Sequence, residues 1–261
     1  RRIRSCCSAT GAGAACAAGL CLTRISAEVG LVNLKGEILS RRARSLAGSD
    51  PAGTDAVVDW AAEQLLSMAE KARIPEGRLL GLGVGASGVV DSVRGIGLRY
   101  SVVDGRLVGR EVDFRGLLSR RVPWPVSLET NASGMALGER WFGSRDTSFL
   151  FIYVDEGVGA ALIRDGQLHR GRGSSGHVAH TKVPQAAGMP CTCGQQGCLS
   201  AMLSRRGLLS LLGWPADSST RDVVGAALMG DPDVLHALGA CGEAVAAACA
   251  PLVDLLDPDV V

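Results

Sequence analysis

From Leu20 onward apolar and polar residues alternate at the period of an extended strand, in LCLTRISAEVGLVNLKGEILSRRARSL, and the run turns at Asn33-Leu34-Lys35-Gly36. A strand meander is expected there. Val57, Val58, Ala61, Leu65, Leu66 and Ala69 then recur at helical spacing up to Arg73, with Thr54 or Asp55 as cap and Pro75 as the stop. Residues 79–84 read as a buried strand entering a Gly/Ser loop. Phe114, Leu117 and Leu118 indicate a short helix. Pro123 and Pro125 frame the entry to a strand over 126–128, and a helix is expected over 131–141.

The second half repeats this logic. Residues 149–154 and 157–163 read as paired strands, with Asp165-Gly166 as a tight turn. Helices are expected over 205–212, ending at Gly213-Trp214-Pro215, over 220–228, and over 233–256 in an Ala-rich run. The last residues, DLLDPDVV, read as the start of a strand, which leads us to expect a chain truncated at its C-terminal end. Strands and helices mix throughout, so the fold class is α/β.

Composition narrows the function classes. The chain has 261 residues, 47% hydrophobic and 20% charged, with 27 basic against 26 acidic side chains. That balance builds a globular core and supplies no net field for nucleic acid. No apolar run reaches the roughly eighteen residues of a membrane span. The Ala/Gly-rich opening after RRIR is too poor in large apolar residues for a secretory signal. Nine cysteines, an odd number, point to free thiols and a cytoplasmic setting.

Three of those cysteines stand within eight residues, in GHVAHTKVPQAAGMPCTCGQQGC. Thiolates and imidazole suit a tetrahedral Zn2+ ion. The candidate ligands are Cys191, Cys193, Cys198 and one histidine, His180 or His177. Gly188, Gly194 and Gly197 let the backbone wrap round an ion, since glycine takes positive φ at no steric cost. Four protein ligands would close the coordination sphere, so the zinc is expected to be structural.

Taken in order, GLGVGASGVVD, ETNASGMALGE, EGVGAALIRDGQLHRGRGSSGHVAH and CTCGQQGCLSAMLS resemble the ROK family, which groups sugar-responsive repressors with sugar kinases. The resemblance implies a two-lobed, actin-like (ribonuclease H-like) α/β fold. Residues 1–19 would be an irregular linker, 20–129 an N-terminal lobe, and 130–261 a C-terminal lobe carrying the zinc loop. The family's zinc histidine ends a G-E-x-G-H run, which falls on Gly176, His177, Val178, Ala179 and His180. His180 is therefore the implied ligand.

Three departures bear on activity. The family's general base is the Asp of an E-N-D-A motif; here Glu129, Thr130, Asn131 and Ala132 align with it. A neutral amide cannot accept the proton, and general-base catalysis is worth about 10²–10⁴ in rate. The family's phosphate-cradling Asp-x-Gly-Gly-Thr turn falls on residues 21–25, where Thr23, Arg24 and Ile25 replace the glycines and threonine. ATP is not expected to bind. The sugar-contacting Glu of the G-E-x-G-H run corresponds to His177, which offers one donor and one acceptor.

These departures point to the regulator branch. A sugar or sugar phosphate is expected in the cleft between lobes, near Ser87, Gly88, Thr130, Asn131, His177 and His180. DNA would be contacted only by a helix-turn-helix absent from these residues, and a homo-oligomer is expected. The alternative is an ATP-dependent sugar kinase of the glucokinase or N-acetylmannosamine kinase type. Other features count for less. Gly81, Gly83, Gly85 and Gly88 lack the following helix of a dinucleotide loop. Asp155 and Glu156 would face opposite sides of a strand. His169 is expected to be exposed and His236 structural.

Overall fold

The structure, a computed structural model, describes residues 15–23, 25–46, 53–75, 77–101, 107–108, 111–143, 146–155 and 157–261. The basic start, Arg24 and Glu156 lie outside the described residues. The chain divides into two compact units, Arg1–Arg145 with Leu168–Ser175, and Asp146–Gln167 with Gly176–Val261.

The first unit is built on a five-stranded sheet. Its strands are β1 (Cys16–Leu22), β2 (Ser26–Asn33), β3 (Ile38–Ser45), β4 (Leu79–Ala86) and β9 (Val126–Thr130), in the order β3-β2-β1-β4-β9. β1 pairs antiparallel with β2 and parallel with β4, and β4 pairs parallel with β9. The expected tail over 1–19 is corrected here: β1 begins at Cys16, and Cys16, Ala18, Leu20 and Leu22 alternate into the core. Small residues in CAAGLCL weaken the strand signal, yet β1 lies in the middle of the sheet. At the turn between β2 and β3 Gly36 takes φ +79°, while Asn33 Oδ1 accepts the N–H groups of Lys35 and Glu37.

Helix α1 (Thr54–Lys71) buries Val57, Val58, Ala61, Leu65 and Met68. Neither Thr54 nor Asp55 caps it; Gly53 holds the N-cap without a side-chain bond. Leu65, Leu82, Leu128, Phe114 and Leu118 join one core with the β1 and β2 side chains. The expected Gly/Ser loop after residue 84 is also corrected. β4 continues to Ala86, bends at Ser87, and re-forms as β5 (Gly88–Asp91) in a second sheet with β6 (Ile96–Ser101), β7 (Leu107–Val108) and β8 (Val112–Asp113). Asp113 caps α2 (Phe114–Ser119), and α3 (Asn131–Phe142) follows β9 directly. The first unit thus runs on through α3 instead of stopping at Glu129, because α3 packs on β4 and β9.

The second unit carries β10 (Phe149–Val154) and β11 (Val158–Arg164), whose sheet is completed by the two-residue β12 (Gln167–Leu168) at the division between the units. Asp165 (φ 52°) and Gly166 (φ 73°) both take positive φ, as a two-residue hairpin turn requires. The helices are α4 (Leu199–Leu203), α5 (Arg205–Leu212), α6 (Thr220–Leu228) and α7 (Pro232–Leu256). α5 ends on left-handed Gly213, and Ser219 with Asp222 forms a capping box on α6. α7 is long and apolar enough, by length and composition alone, to cross a membrane. Its Cys241, Ala244, Ala248 and Cys249 pack against Val183, Ala186, Leu199 and Met202, which gives its apolar side a place in a core. Val260 forms a parallel bridge with Phe149.

Candidate functional site

The segment from Gly176 to Leu199 folds as two short 3-10 turns and a tight hairpin. His180 closes the first turn, Val178–His180. Gly188, Gly194 and Gly197 take φ of +77°, +85° and +77°, the conformations for which glycine was expected. Cys191 N–H donates to Gln195 O, Gly194 N–H to Cys191 O, and Gly197 N–H to Met189 O. Lys182 and Cys198 pair as an antiparallel bridge, flanked by Val183 N–H to Gly197 O and Leu199 N–H to Thr181 O. These bonds bring both ends of the segment together.

The ligand-type atoms of His180, Cys191, Cys193 and Cys198 consequently all lie within 4.8 Å of one another. Cys191 Sγ is 3.5 Å from His180 Nδ1, and Cys193 Sγ is 3.7 Å from Cys198 Sγ. All three thiols are free, and 3.7 Å is far beyond a disulfide. A tetrahedron of Zn–S bonds near 2.3 Å has S···S edges of about 3.8 Å and S···N edges of about 3.6 Å. The donor set and its spacing therefore fit a zinc ion, with Nδ1 as the imidazole donor. Burial opposes ionisation of Cys191, but the Cys193 N–H, the Ser200 hydroxyl and the neighbouring thiols outweigh it and bring its thiol down to about 6. Burial pushes the Cys198 thiol up, against the hydrogen bond from Lys182.

Asn131 is buried at the first position of α3. Its Nδ2 donates to Leu22 O at 2.9 Å and to Ser87 Oγ at 3.1 Å, and its Oδ1 accepts from Cys21 Sγ at 3.6 Å. A carbonyl only accepts, so the bond to Leu22 fixes which way the amide points. Ser87 reaches the same carbonyl through its N–H, at 3.1 Å. Asn131 thus ties the end of β1, the β4–β5 bend and the start of α3 into one knot. Gly85 is part of it: a Cβ there would stand 2.6 Å from Asn131 Oδ1.

Thr130, the preceding residue, caps α3 by accepting the Ser133 N–H. Its hydroxyl donates to Ser133 Oγ at 2.8 Å. Glu129 binds Arg170 Nε at 2.7 Å through one oxygen and the Ser92 hydroxyl through the other. In the turn between β1 and β2, Thr23 Oγ1 accepts the N–H groups of Ile25 and Ser26 at 3.3 and 3.0 Å. Among the described residues of this turn, the N–H groups of Thr23, Ile25 and Ser26 are bonded within the chain.

Of the sequence-derived ligand positions, Ser87, Gly88, Thr130 and Asn131 fall in the first unit and His177 and His180 in the second. Gly88 opens β5. His177 is exposed, with its ring centroid 5.4 Å from that of His180. His169 is exposed as expected, whereas His236 is also exposed, on α7, and is not a core histidine. Sequence reasoning missed Lys182, Ser200, Cys21 and the Thr23 hydroxyl as partners of these sites. Lys182 and Ser200 each stand two residues after a metal-ligand candidate, a spacing that marks them only once the hairpin is known.

The ROK family model matches residues 18–261. A xylose repressor of Caldicellulosiruptor bescii is 32% identical over 149 residues, covering 56% of this chain and 36% of the repressor. A glucokinase of Thermotoga maritima is 27% identical over 251 residues, covering 89% of this chain and 76% of the kinase. Among solved structures, a ROK family glucokinase from Streptomyces griseus, in complex with glucose and AMPPNP, superposes with a TM-score of 0.73 at 25% identity, covering 94% of this chain and 82% of that one. The chain spans about half or less of the length of the first repressors it matches. The matched span, the mixed α/β fold with sugar-kinase neighbours and the Cys/His cluster agree: this chain belongs to the ROK family, on the actin-like ATPase fold.

Proposed function

We propose that this chain is the sugar-sensing part of a ROK-type transcriptional regulator, without kinase activity and with a structural zinc at His180, Cys191, Cys193 and Cys198. One observation carries the reading. Where the resemblance implies a general base, Asn131 presents an amide whose donor side is held by Leu22 and Ser87. An amide has no proton-accepting role at neutral pH. The occupied amides of the Thr23 turn support the absence of an ATP site. Both repressors and glucokinases stand among the relatives, so the kinase reading is the rival.

In this reading a sugar lies beside Ser87, Gly88, Thr130 and Asn131. A sugar or sugar phosphate with unequal affinity for two arrangements of the chain shifts their populations. Operator binding then belongs to another part of the regulator, and the regulator acts as a homo-oligomer in the cytoplasm.

Calorimetry against hexoses, pentoses, N-acetylated hexosamines and their phosphates, with a coupled ATP-to-ADP assay on the same panel, tests this. Binding without turnover is expected. Turnover that disappears in Asn131→Ala would establish the kinase instead, and no heat with any sugar would remove the sensor.

A further inference from the structure

The Lys182 ammonium donates to Cys198 Sγ at 3.2 Å and also to the carbonyl of Gln196. Its position is fixed by the backbone. Lys182 stands across the antiparallel bridge from Cys198, two residues past His180, and the bonds Val183 to Gly197 and Leu199 to Thr181 lock that register. Gln196 and Cys198 lie on the opposing strand of the same bridge, so one ammonium spans both. Cys198 is fully buried.

The charge at this site is unbalanced without that lysine. Three thiolates and a neutral imidazole around a divalent cation sum to −1, and a net charge beside buried sulfur is costly unless it is paired. Among the described residues, no other lysine or arginine is recorded on a sulfur of the cluster; the donors on Cys191 from outside the ligand side chains are neutral, the Cys193 N–H and the Ser200 hydroxyl at 3.6 Å. A hydrogen bond to a ligand sulfur also draws electron density from it and restrains its orientation, as outer-shell partners do at metal sites.

We infer that Lys182 is a positioning residue of the metal centre: its ammonium neutralises the zinc–Cys3His unit and holds Cys198 in place, so that metal retention and the chemical inertness of Cys198 depend on it. The inference rests on the zinc reading above. It is independent of the sugar.

The test uses the full chain and its variants Lys182→Met, which keeps the length and apolar stem, and Lys182→Arg, which keeps the charge. Zinc affinity is measured by competition with a chromophoric chelator, and cysteine exposure by the rate of iodoacetamide alkylation at Cys198, read by mass spectrometry of the zinc-loaded protein. Loss of an outer-shell partner typically weakens metal binding about 10–100-fold. Lys182→Met is expected to fall in that range and to alkylate faster at Cys198, with Lys182→Arg recovering most of both. Equal affinity and alkylation rates in wild type and Lys182→Met would overturn the inference, as would a loss in Lys182→Arg as large as in Lys182→Met. A wild-type chain that takes up no zinc would overturn the metal reading itself. Far-UV circular dichroism with a urea titration of each variant separates a local loss from a failure to fold; a Lys182→Met chain that is folded yet weak for zinc supports the role.

Discussion

The amide of Asn131 donates to the carbonyl oxygen of Leu22 at 2.9 Å, which joins the first residue of α3 to the last residue of β1. The side chain therefore serves as a structural bond across 109 residues as well as occupying the position implied for a base. A carboxylate has no donor for Leu22 at neutral pH. Changing the residue back to an acid alters the fold's bonding before it alters any chemistry.

Asn131→Asp should accordingly lose stability, by about 1–3 kcal/mol for an unmade buried hydrogen bond, and should gain no phosphotransfer. Urea denaturation and a coupled kinase assay check both. An Asn131→Asp chain of unchanged stability that phosphorylates a sugar would refute the structural role.

Gly85→Ala places a Cβ 2.6 Å from Asn131 Oδ1 on backbone that is otherwise open to alanine. It should destabilise by displacing the amide. In the double variant Gly85→Ala with Asn131→Ala the clash is gone, so the combined cost should fall short of the sum by at least about 0.5 kcal/mol. Strict additivity in a double-mutant cycle would contradict this.

Thr23→Ala frees the N–H groups of Ile25 and Ser26. We expect a cost of about 0.5–1.5 kcal/mol and faster amide exchange at those two residues, with Thr23→Ser close to wild type. Exchange followed by NMR reports it directly.

Metal removal should be local. The loop's order depends on a few hairpin bonds and the ligand cluster, whereas β1, β2 and β4 sit in a separate apolar core. Adding a chelator to zinc-loaded protein should raise deuterium uptake over residues 188–199 and leave residues 16–33 and 79–86 little changed. Equal uptake in both regions would show that the metal supports the whole chain.

Alkaline pH should unfold the chain through α7. Burial raises the thiols of Cys241 and Cys249. In the unfolded chain those thiols ionise above about pH 8.5, while in the fold they keep their protons. The folded state then binds more protons, so stability falls as pH climbs past the unfolded value. Cys249→Ala should flatten that slope between pH 8 and 10 in urea titrations.

The sequence by itself determined the family, the α/β class and the four Cys/His residues that the fold gathers into one cluster. Each is written in local spacing: C-x-C-x4-C with a histidine upstream, helical recurrence in α1, and the Asp165-Gly166 turn. Local chemistry also predicted where glycine had to take positive φ in the hairpin. What spacing could not supply was long-range pairing. β1 starts at Cys16 because β2 and β4 flank it on both sides, and only sheet neighbours turn a run of small residues into a central strand. β5 and β6 were missed because Gly88 and its neighbours read as loop until β4 bends at Ser87. Asn131 looked like a missing acid in the sequence; the tertiary structure decided that it is a donor, since Leu22 O and Ser87 meet it from distant parts of the chain. Lys182 likewise becomes a partner of Cys198 only when the hairpin folds back, because a hydrogen bond depends on separation in space and not along the sequence.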